Sequence, residues 1–267
     1  MGIVNVTPDS FSDGGLLLDP ARAVASALQM IEDGADLLDI GGESTRPGAE
    51  PLAAGEELRR VVPVIEALAS QTSIPISVDT YKAGVADAAL HAGAAIVNDI
   101  SGLRYEPALA EVVARRNAAI VLMHTRGRSR EMYQLATYHE VVDEVLDELR
   151  SSVAFATTAG IRREQIVVDP GLGFAKHPPH SFEVLARLDQ FAALGHPLLV
   201  GASRKGFLTR PFARDIPAAE RDWATAAAVT ASVLSGAHIV RVHAVREMAQ
   251  VARVADEIRK YHRPASE

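Results

Sequence analysis

The chain of 267 residues has no cysteine, which removes a disulfide framework, a thiolate zinc site and a thiol nucleophile from consideration. An excess of positive charge is missing too. Lys and Arg number 27 against 34 Asp and Glu, a formal net charge of -7, whereas a nucleic-acid groove or an anionic membrane surface needs concentrated cations. No apolar run reaches membrane-spanning length, and Met1-Gly2-Ile3-Val4-Asn5 lacks the basic segment, apolar core and cleavage site of a secretion signal. The expectation is a soluble cytoplasmic protein with neither a nucleic-acid nor a membrane partner. Linkers rich in Pro, Gly or Ser, low-complexity tracts and breaks in composition are also absent, so residues 1–267 are expected to form one domain.

What is present is a repeat of short and long segments. Apolar runs rich in Val and Ile fall at 3–6, 37–40, 74–78, 95–97, 119–123, 166–168, 198–200 and 239–242. Between them lie stretches of helical spacing and composition at 21–32, 55–70, 83–92, 107–116, 139–159, 181–194, 223–235 and 245–261. Strict alternation calls for parallel strands joined by helical crossovers. Eight such units in a chain of this length predict a single-domain (β/α)8 TIM barrel, with an open doubly wound sheet as the alternative fold. The longest irregular stretches, 7–20, 41–51 and 201–222, follow strands, which in a barrel places them on the catalytic face. Because the first strand begins at residue 1, nothing precedes it to cover the barrel floor. A floor less well sealed than usual, or a natural chain that begins upstream, is expected.

The residues at or just beyond the strand ends are Asn5, Asp39 with Glu43, Asp79, Asn98 with Asp99, His124, Asp169, Ser203 with Lys205, and Arg241 with His243. Any one of them is ordinary for a wet strand end. Together, in a fold that collects strand-end residues into one site, they point to chemistry. The loops after the last two strands often hold phosphate in barrels, and here they carry Ser203-Arg204-Lys205 and Arg241-Val242-His243. Arg241 and His243, two apart, would face the same way in extended backbone and grip one anion. Gly201-Ala202-Ser203-Arg204-Lys205 is no nucleophile elbow, since Lys205 replaces the second glycine, and it lacks the spacing of a Walker loop. Closely spaced histidines on an early strand, the usual sign of a hydrolytic zinc site, are absent as well. Asn5 is instead a hard oxygen donor suited to Mg2+ that takes its other ligands from water and substrate phosphates.

The run Asn5-Val6-Thr7-Pro8-Asp9-Ser10-Phe11-Ser12-Asp13-Gly14-Gly15 resembles the first signature of the dihydropteroate synthases, within the pterin-binding enzyme family. Further similar motifs follow in order. They are Asp39-Ile40-Gly41-Gly42-Glu43-Ser44-Thr45-Arg46-Pro47-Gly48, Ser77-Val78-Asp79-Thr80, Val97-Asn98-Asp99-Ile100-Ser101-Gly102, Leu122-Met123-His124, Asp169-Pro170-Gly171-Leu172-Gly173-Phe174, and the two late-loop motifs. The resemblance spans essentially the whole chain and departs chiefly at Leu103-Arg104-Tyr105 and in the missing N-terminal segment.

That resemblance implies a transferase that condenses 6-hydroxymethyl-7,8-dihydropterin pyrophosphate with p-aminobenzoate, releasing pyrophosphate, in folate synthesis. It implies a pterin pocket of Asp79, Asn98, Met123, Asp169, Phe174, Gly201 and Lys205. Asn5, Arg46, Arg241 and His243 would hold the pyrophosphate, with Asn5 on its Mg2+. Phe11, Thr45, Pro47, Ser203 and the stem of Lys205 would shape the aminobenzoate pocket, which sulfonamides mimic their way into. Catalysis would rest on Asn5, Lys205, Arg241 and His243, and family habit suggests a homodimer. The loops 7–15 and 43–48 are expected to close on the substrate anion, so that the pterin substrate binds first. Two rivals share the fold: a pterin-dependent methyltransferase and a non-catalytic pterin binder. Neither requires the first-loop signature together with Ser203-Arg204-Lys205.

Overall fold

Val and Ile, branched at Cβ, suit strands buried on both faces, and the short apolar runs become such strands. The computed structural model describes residues 1–7, 20–45 and 48–261. Its strands are β1 (Gly2–Asn5), β2 (Leu38–Gly41), β3 (Ile76–Asp79), β4 (Ile96–Asp99), β5 (Ala119–Met123), β6 (Ile166–Asp169), β7 (Leu199–Val200) and β8 (Ile239–Val240). All pairings are parallel: β1 to β6 follow in sequence order, and β7 pairs with β8. Single parallel bridges from Val168 to Leu198 and from Gly2 to Val242 join the two sheets and complete the ring. The Ile3 amide donates to Val242 O, and the Val242 amide to Met1 O, both at 3.0 Å. An open sheet would leave β1 and β8 unpaired, so the architecture is the (β/α)8 barrel.

The crossovers are α1 (Pro20–Glu32), α2 (Ala54–Ala69), α3 (Ala83–His91), α4 (Leu109–Arg116), α5 (Val141–Thr158), α6 (Pro178–Ala186), α7 (Asp222–Leu234) and α8 (Val245–Lys260). Among the described residues none is long and apolar enough to cross a membrane. The sixth differs from its sequence expectation of 181–194. It starts at Pro178, where the fixed φ of proline suits a first turn, and it gives way to a 3-10 helix over Leu188–Leu194. Three residues per turn aligns Leu188, Phe191 and Leu194, and all three are buried.

Period-two alternation then divides the strand residues. Leu38, Ile40, Val78, Val97, Ile120, Leu122, Ile166 and Val168 face outward and pack with Ala27, Val61, Ile65, Leu149 and Val184 of the helices in one continuous core. The inward set splits by height. At the strand beginnings Met1, Val121 and Leu199, with Leu37, Ile96, Val167 and Ile239, form an apolar plug. The barrel floor is thus filled from within by its own strands. Higher up, the inward residues turn polar.

Leu38 is fully buried between barrel and helices, so Leu38→Ala is expected to destabilise the fold by about 2–5 kcal/mol through lost contacts and an unfilled cavity. Urea unfolding measures this. A loss under about 1 kcal/mol would mean that the layer relaxes to fill the space.

Candidate active site

Strand register sets the site before any side chain is considered. Gly41 lies beside Asp79, Asp79 beside Asn98, and Met123 beside Asp169, so inward carboxylates and an amide share the C-terminal half of the barrel. Asp39, one inward position below Gly41, is fully buried. Arg241 reaches in from the end of β8, donating through Nε to Asp39 Oδ2 at 2.6 Å and through Nη2 to Asp79 Oδ2 at 2.8 Å. Asn98 Nδ2 donates to the same Asp39 oxygen at 2.9 Å. Asp39, named among the strand ends without a specific role, is therefore part of the site as the partner of Arg241. The signal was parity, since it alternates inward with Leu37 and Gly41. Burial pushes Asp79 up to about 7, against the pull of Arg241.

The second half of the site is the turn after β6. Asp169, also buried, accepts the Gly171 amide at 2.7 Å, and burial raises its carboxyl while Lys205 opposes the shift. Gly171 has a φ of +69°, and a Cβ there would lie 2.0 Å from His124 O, so only glycine fits. Lys205 donates to Leu172 O, and its ammonium stands 4.4 Å from the centre of the Phe174 ring. Burial lowers Lys205 to about 8, with Asp169 resisting. Beyond Phe174, Tyr81, Ile100, Met123 and Tyr105 form an apolar wall, with Tyr81 and Tyr105 edge to face at 5.1 Å. Tyr81, Ile100 and Tyr105 are not among the expected site residues, although Ile100 lies within the motif after β4 and Tyr105 within the departure that follows it.

The remaining predicted residues are arranged less uniformly. Ser203 Oγ and His243 Nδ1 are 2.9 Å apart, and the His243 amide donates to Ser203 Oγ at 3.2 Å. Arg241 and His243 therefore have different protein partners, carboxylates for one and a serine for the other. Gly201 is buried where β7 ends, and Thr45 is half-buried in the second loop. Arg204 does not share the mouth with Lys205: its guanidinium pairs with both oxygens of Asp222 at 2.8 Å, fixing the first turn of α7. Asp99 also turns away, holding the following loop through Ser101 and Leu103. Phe11, Arg46 and Pro47 lie outside the described residues.

Asn5 ends β1, between the bridged end of β8 on one side and β2 on the other. Among the described residues no group of three His, Asp or Glu side chains could cage a metal. A Mg2+ at this mouth would have to take most ligands from water and a phosphorylated substrate, which a single amide oxygen suits.

A polar ring of this composition can bind the hydrogen-bonding edge of a flat heterocycle, with an anion between β8, β1 and the loop after β7. Comparison with known proteins agrees on one family. The pterin binding enzyme family matches residues 1–243. The dihydropteroate synthase of Bacillus subtilis is 46% identical over 256 residues, covering 96% of this chain and 87% of its own length. That of Mycobacterium leprae is 47% identical over 259 residues, covering 95% and 91%. Among solved structures, the dihydropteroate synthase of Clostridium difficile in the presence of pteroic acid superposes with a TM-score of 0.90 at 40% identity, covering 98% of this chain and 96% of that one. The Xanthomonas albilineans enzyme with 4-aminobenzoic acid gives 0.90 at 42% identity, covering 98% and 93%.

The depressed Lys205 has a consequence for stability. Its proton leaves at about 8 in the folded chain, but the unfolded side chain holds on until about the ordinary 10.5. Between those values the unfolded state binds more protons, so this residue makes stability rise with pH. The stability of the protein relative to Lys205→Met should therefore climb from pH 8 to 10.5, read by denaturant unfolding at each pH. A flat difference would place the ammonium in water.

Proposed function

The chain belongs to the pterin binding enzyme family, and from that premise we infer that it is a dihydropteroate synthase, a transferase of folate biosynthesis. It joins 6-hydroxymethyl-7,8-dihydropterin pyrophosphate to p-aminobenzoate, giving 7,8-dihydropteroate and pyrophosphate. The observation that carries this reading is the inward ring of Asp79, Asn98 and Asp169 with Lys205 and Arg241 at the barrel mouth. A pterin edge offers amino and ring N–H donors beside a carbonyl, and so calls for carboxylate acceptors next to amide and ammonium donors.

In this reading Asp169 and Asp79 accept from the pterin, while Asn98 and Lys205 donate to it. Met123, Phe174 and Gly201 shape the slot around the ring. Arg241 has two alternative employments, the carboxylates that it bonds in the structure and the pyrophosphate of the substrate. Swinging to the anion would free Asp79 to take a pterin donor, so substrate entry and anion capture are one exchange of partners. His243, Asn5 and Arg46 complete the anion site, and Asn5 would hold the Mg2+ that neutralises charge on the leaving pyrophosphate. Charge grows on that group as its bond to the pterin methylene breaks, and donors fixed in advance stabilise it. The aminobenzoate amine is already nucleophilic at neutral pH, which explains why the site needs no strong base or covalent nucleophile. Thr45, Ser203 and the Lys205 stem, with Phe11 and Pro47, would receive aminobenzoate. A sulfonamide would enter the same place, as the Yersinia pestis dihydropteroate synthase complex with a sulfonamide drug suggests for its own chain. A cytoplasmic homodimer of one domain completes the proposal.

The test is pyrophosphate release from the pterin pyrophosphate, with and without p-aminobenzoate. Release that depends on both substrates is the expected result. Methyl transfer to a corrinoid, or pterin binding without release, would replace the synthase by one of its rivals. Two variants check the assigned roles. Asp169→Ala should lose roughly 3 kcal/mol of pterin affinity, about a hundredfold, because a buried donor is left without its charged acceptor. Titration calorimetry on the folded variant measures it, and near-normal affinity would remove Asp169 from the pocket. Arg241→Ala should weaken the pyrophosphorylated pterin far more than the free hydroxymethyl pterin. Equal losses would make Arg241 a structural partner of Asp39 and nothing more.

A further inference from the structure

The turn that presents Asp169 has an unusual backbone. Gly171 and Gly173 have φ of +69° and +76°, and Ala175, which has a Cβ, has +46°. Three left-handed residues in five leave the carbonyls fanned outward, and side chains claim every one of them. Lys176 Nζ donates to Gly171 O at 3.2 Å and to Phe174 O at 3.1 Å. Lys205 takes Leu172 O, the Tyr133 hydroxyl takes Gly173 O at 3.1 Å, and the Tyr138 hydroxyl takes Ala175 O at 2.8 Å. Of these donors Lys176 alone sits beneath the turn, 1% exposed, and the proposed reaction has no use for it.

The contacts of Lys176 favour an ammonium, which burial opposes. Its third contact is His124 Nδ1 at 2.8 Å. The other ring nitrogen, Nε2, lies 3.2 Å from Glu148 Oε2, an electrostatic contact without hydrogen-bond geometry. Arg104 and Arg126 also bond Glu148, and although burial alone would raise its carboxyl, these neighbours with His124 hold it well below the ordinary range. An anion facing Nε2 places the imidazole proton there, so Nδ1 is an acceptor. Burial also drives His124 down to about 3, which keeps the ring neutral. Lys176 thus meets three acceptors, one for each hydrogen of an ammonium. A neutral amine would turn its lone pair toward one of them.

Resting on the pterin-binding role of Asp169, we propose that Lys176 is a positioning residue for the pterin site: Glu148, through His124, seats a buried ammonium that locks the 171–175 turn and holds Asp169 as a carboxylate. Three cations then face Asp169, Lys205 and Arg241 from the mouth and Lys176 from beneath, each opposing the rise that burial imposes. Burial pulls the Lys176 ammonium well below the ordinary lysine range; Asp169 and Glu148 oppose that fall, while Lys205 and Arg126 add to it. Tyr133 and Tyr138 add only neutral hydroxyls to the outer side of the turn.

The test is Lys176→Met, which keeps the volume and length of the stem and removes the charge and the three donors. In the folded variant, confirmed by its thermal transition, the KM for the pterin substrate should rise at least tenfold with the aminobenzoate KM at saturating pterin unchanged. The acid limb of pterin affinity should also move to higher pH, because Asp169 has lost a cation. A purely structural lysine would move neither the acid limb nor one substrate alone. Unchanged pterin affinity and an unshifted limb would overturn the proposal, as would equal losses for both substrates. Glu148→Gln, half-exposed and outside the pocket, covers the case in which Lys176→Met does not fold. It should weaken pterin binding severalfold and spare aminobenzoate, and no change in pterin binding would count against the relay. Wild-type protein that binds no pterin would refute the parent reading, whereas wild-type binding with unaffected variants would refute this inference alone.

Discussion

A charge taken out of water must find an opposite charge, and the interior of this barrel is organised around that requirement. Arg241 cannot sit at the mouth unpaired, and Asp39 cannot be fully buried unpaired. They pair across the barrel through Asp39 Oδ2, with Asp79 and Asn98 drawn into the same network, while Asp39 Oδ1 is buried without a partner among the described residues. Ion pairs of this kind gain little net stability over apolar packing, because the cost of desolvation is comparable to the attraction. Their presence where Leu or Val would pack without penalty is what the proposed exchange of partners accounts for.

The apolar plug beneath makes that arrangement affordable. Met1, Val121 and Leu199 put an apolar layer beneath the polar ring. Low polarity around the ring then moves the ionisable groups in opposite directions, Asp79 up to about 7 and Lys205 down to about 8. Two groups brought that close in proton affinity are sensitive to whichever ligand edge is placed between them. In the proposed role, a pterin that offers donors to the aspartates and an acceptor to the lysine would settle both in their charged forms.

The turn after β6 is the other rigid part. Its left-handed residues are tied from three directions, by Lys176 below, Lys205 at the mouth and Tyr133 with Tyr138 outside. A donor or acceptor held by neighbours binds a ligand without first losing freedom of its own, and a site of this kind gains affinity from order established during folding. In the proposed reaction the ring and the turn would divide the work: one exchanges ion pairs, and the other is held by its hydrogen bonds.

Alternation of short β-branched runs with amphipathic segments was enough to read the barrel, because eight repeats of one unit have few other ways to bury their apolar faces. The motifs after the strands were also legible, and Asp79, Asn98, Asp169, Lys205 and Arg241 could be gathered from them, since in a barrel every strand end opens on the same face. Sequence distance hid the rest. Asp39 and Arg241 are 202 residues apart, and no local pattern tells that they share a bond. Lys176 stands in no motif singled out in the sequence, and only the fold brings its ammonium to Gly171 O. Arg204, inside a motif that promised an anion, is spent on Asp222 because its left-handed backbone turns the side chain away from the mouth. The sequence by itself determined which residues alternate and where strands end. Which charges meet was decided only by ring closure, because the pairing of buried charges depends on distances across the barrel, and those exist only once β8 has come back to β1.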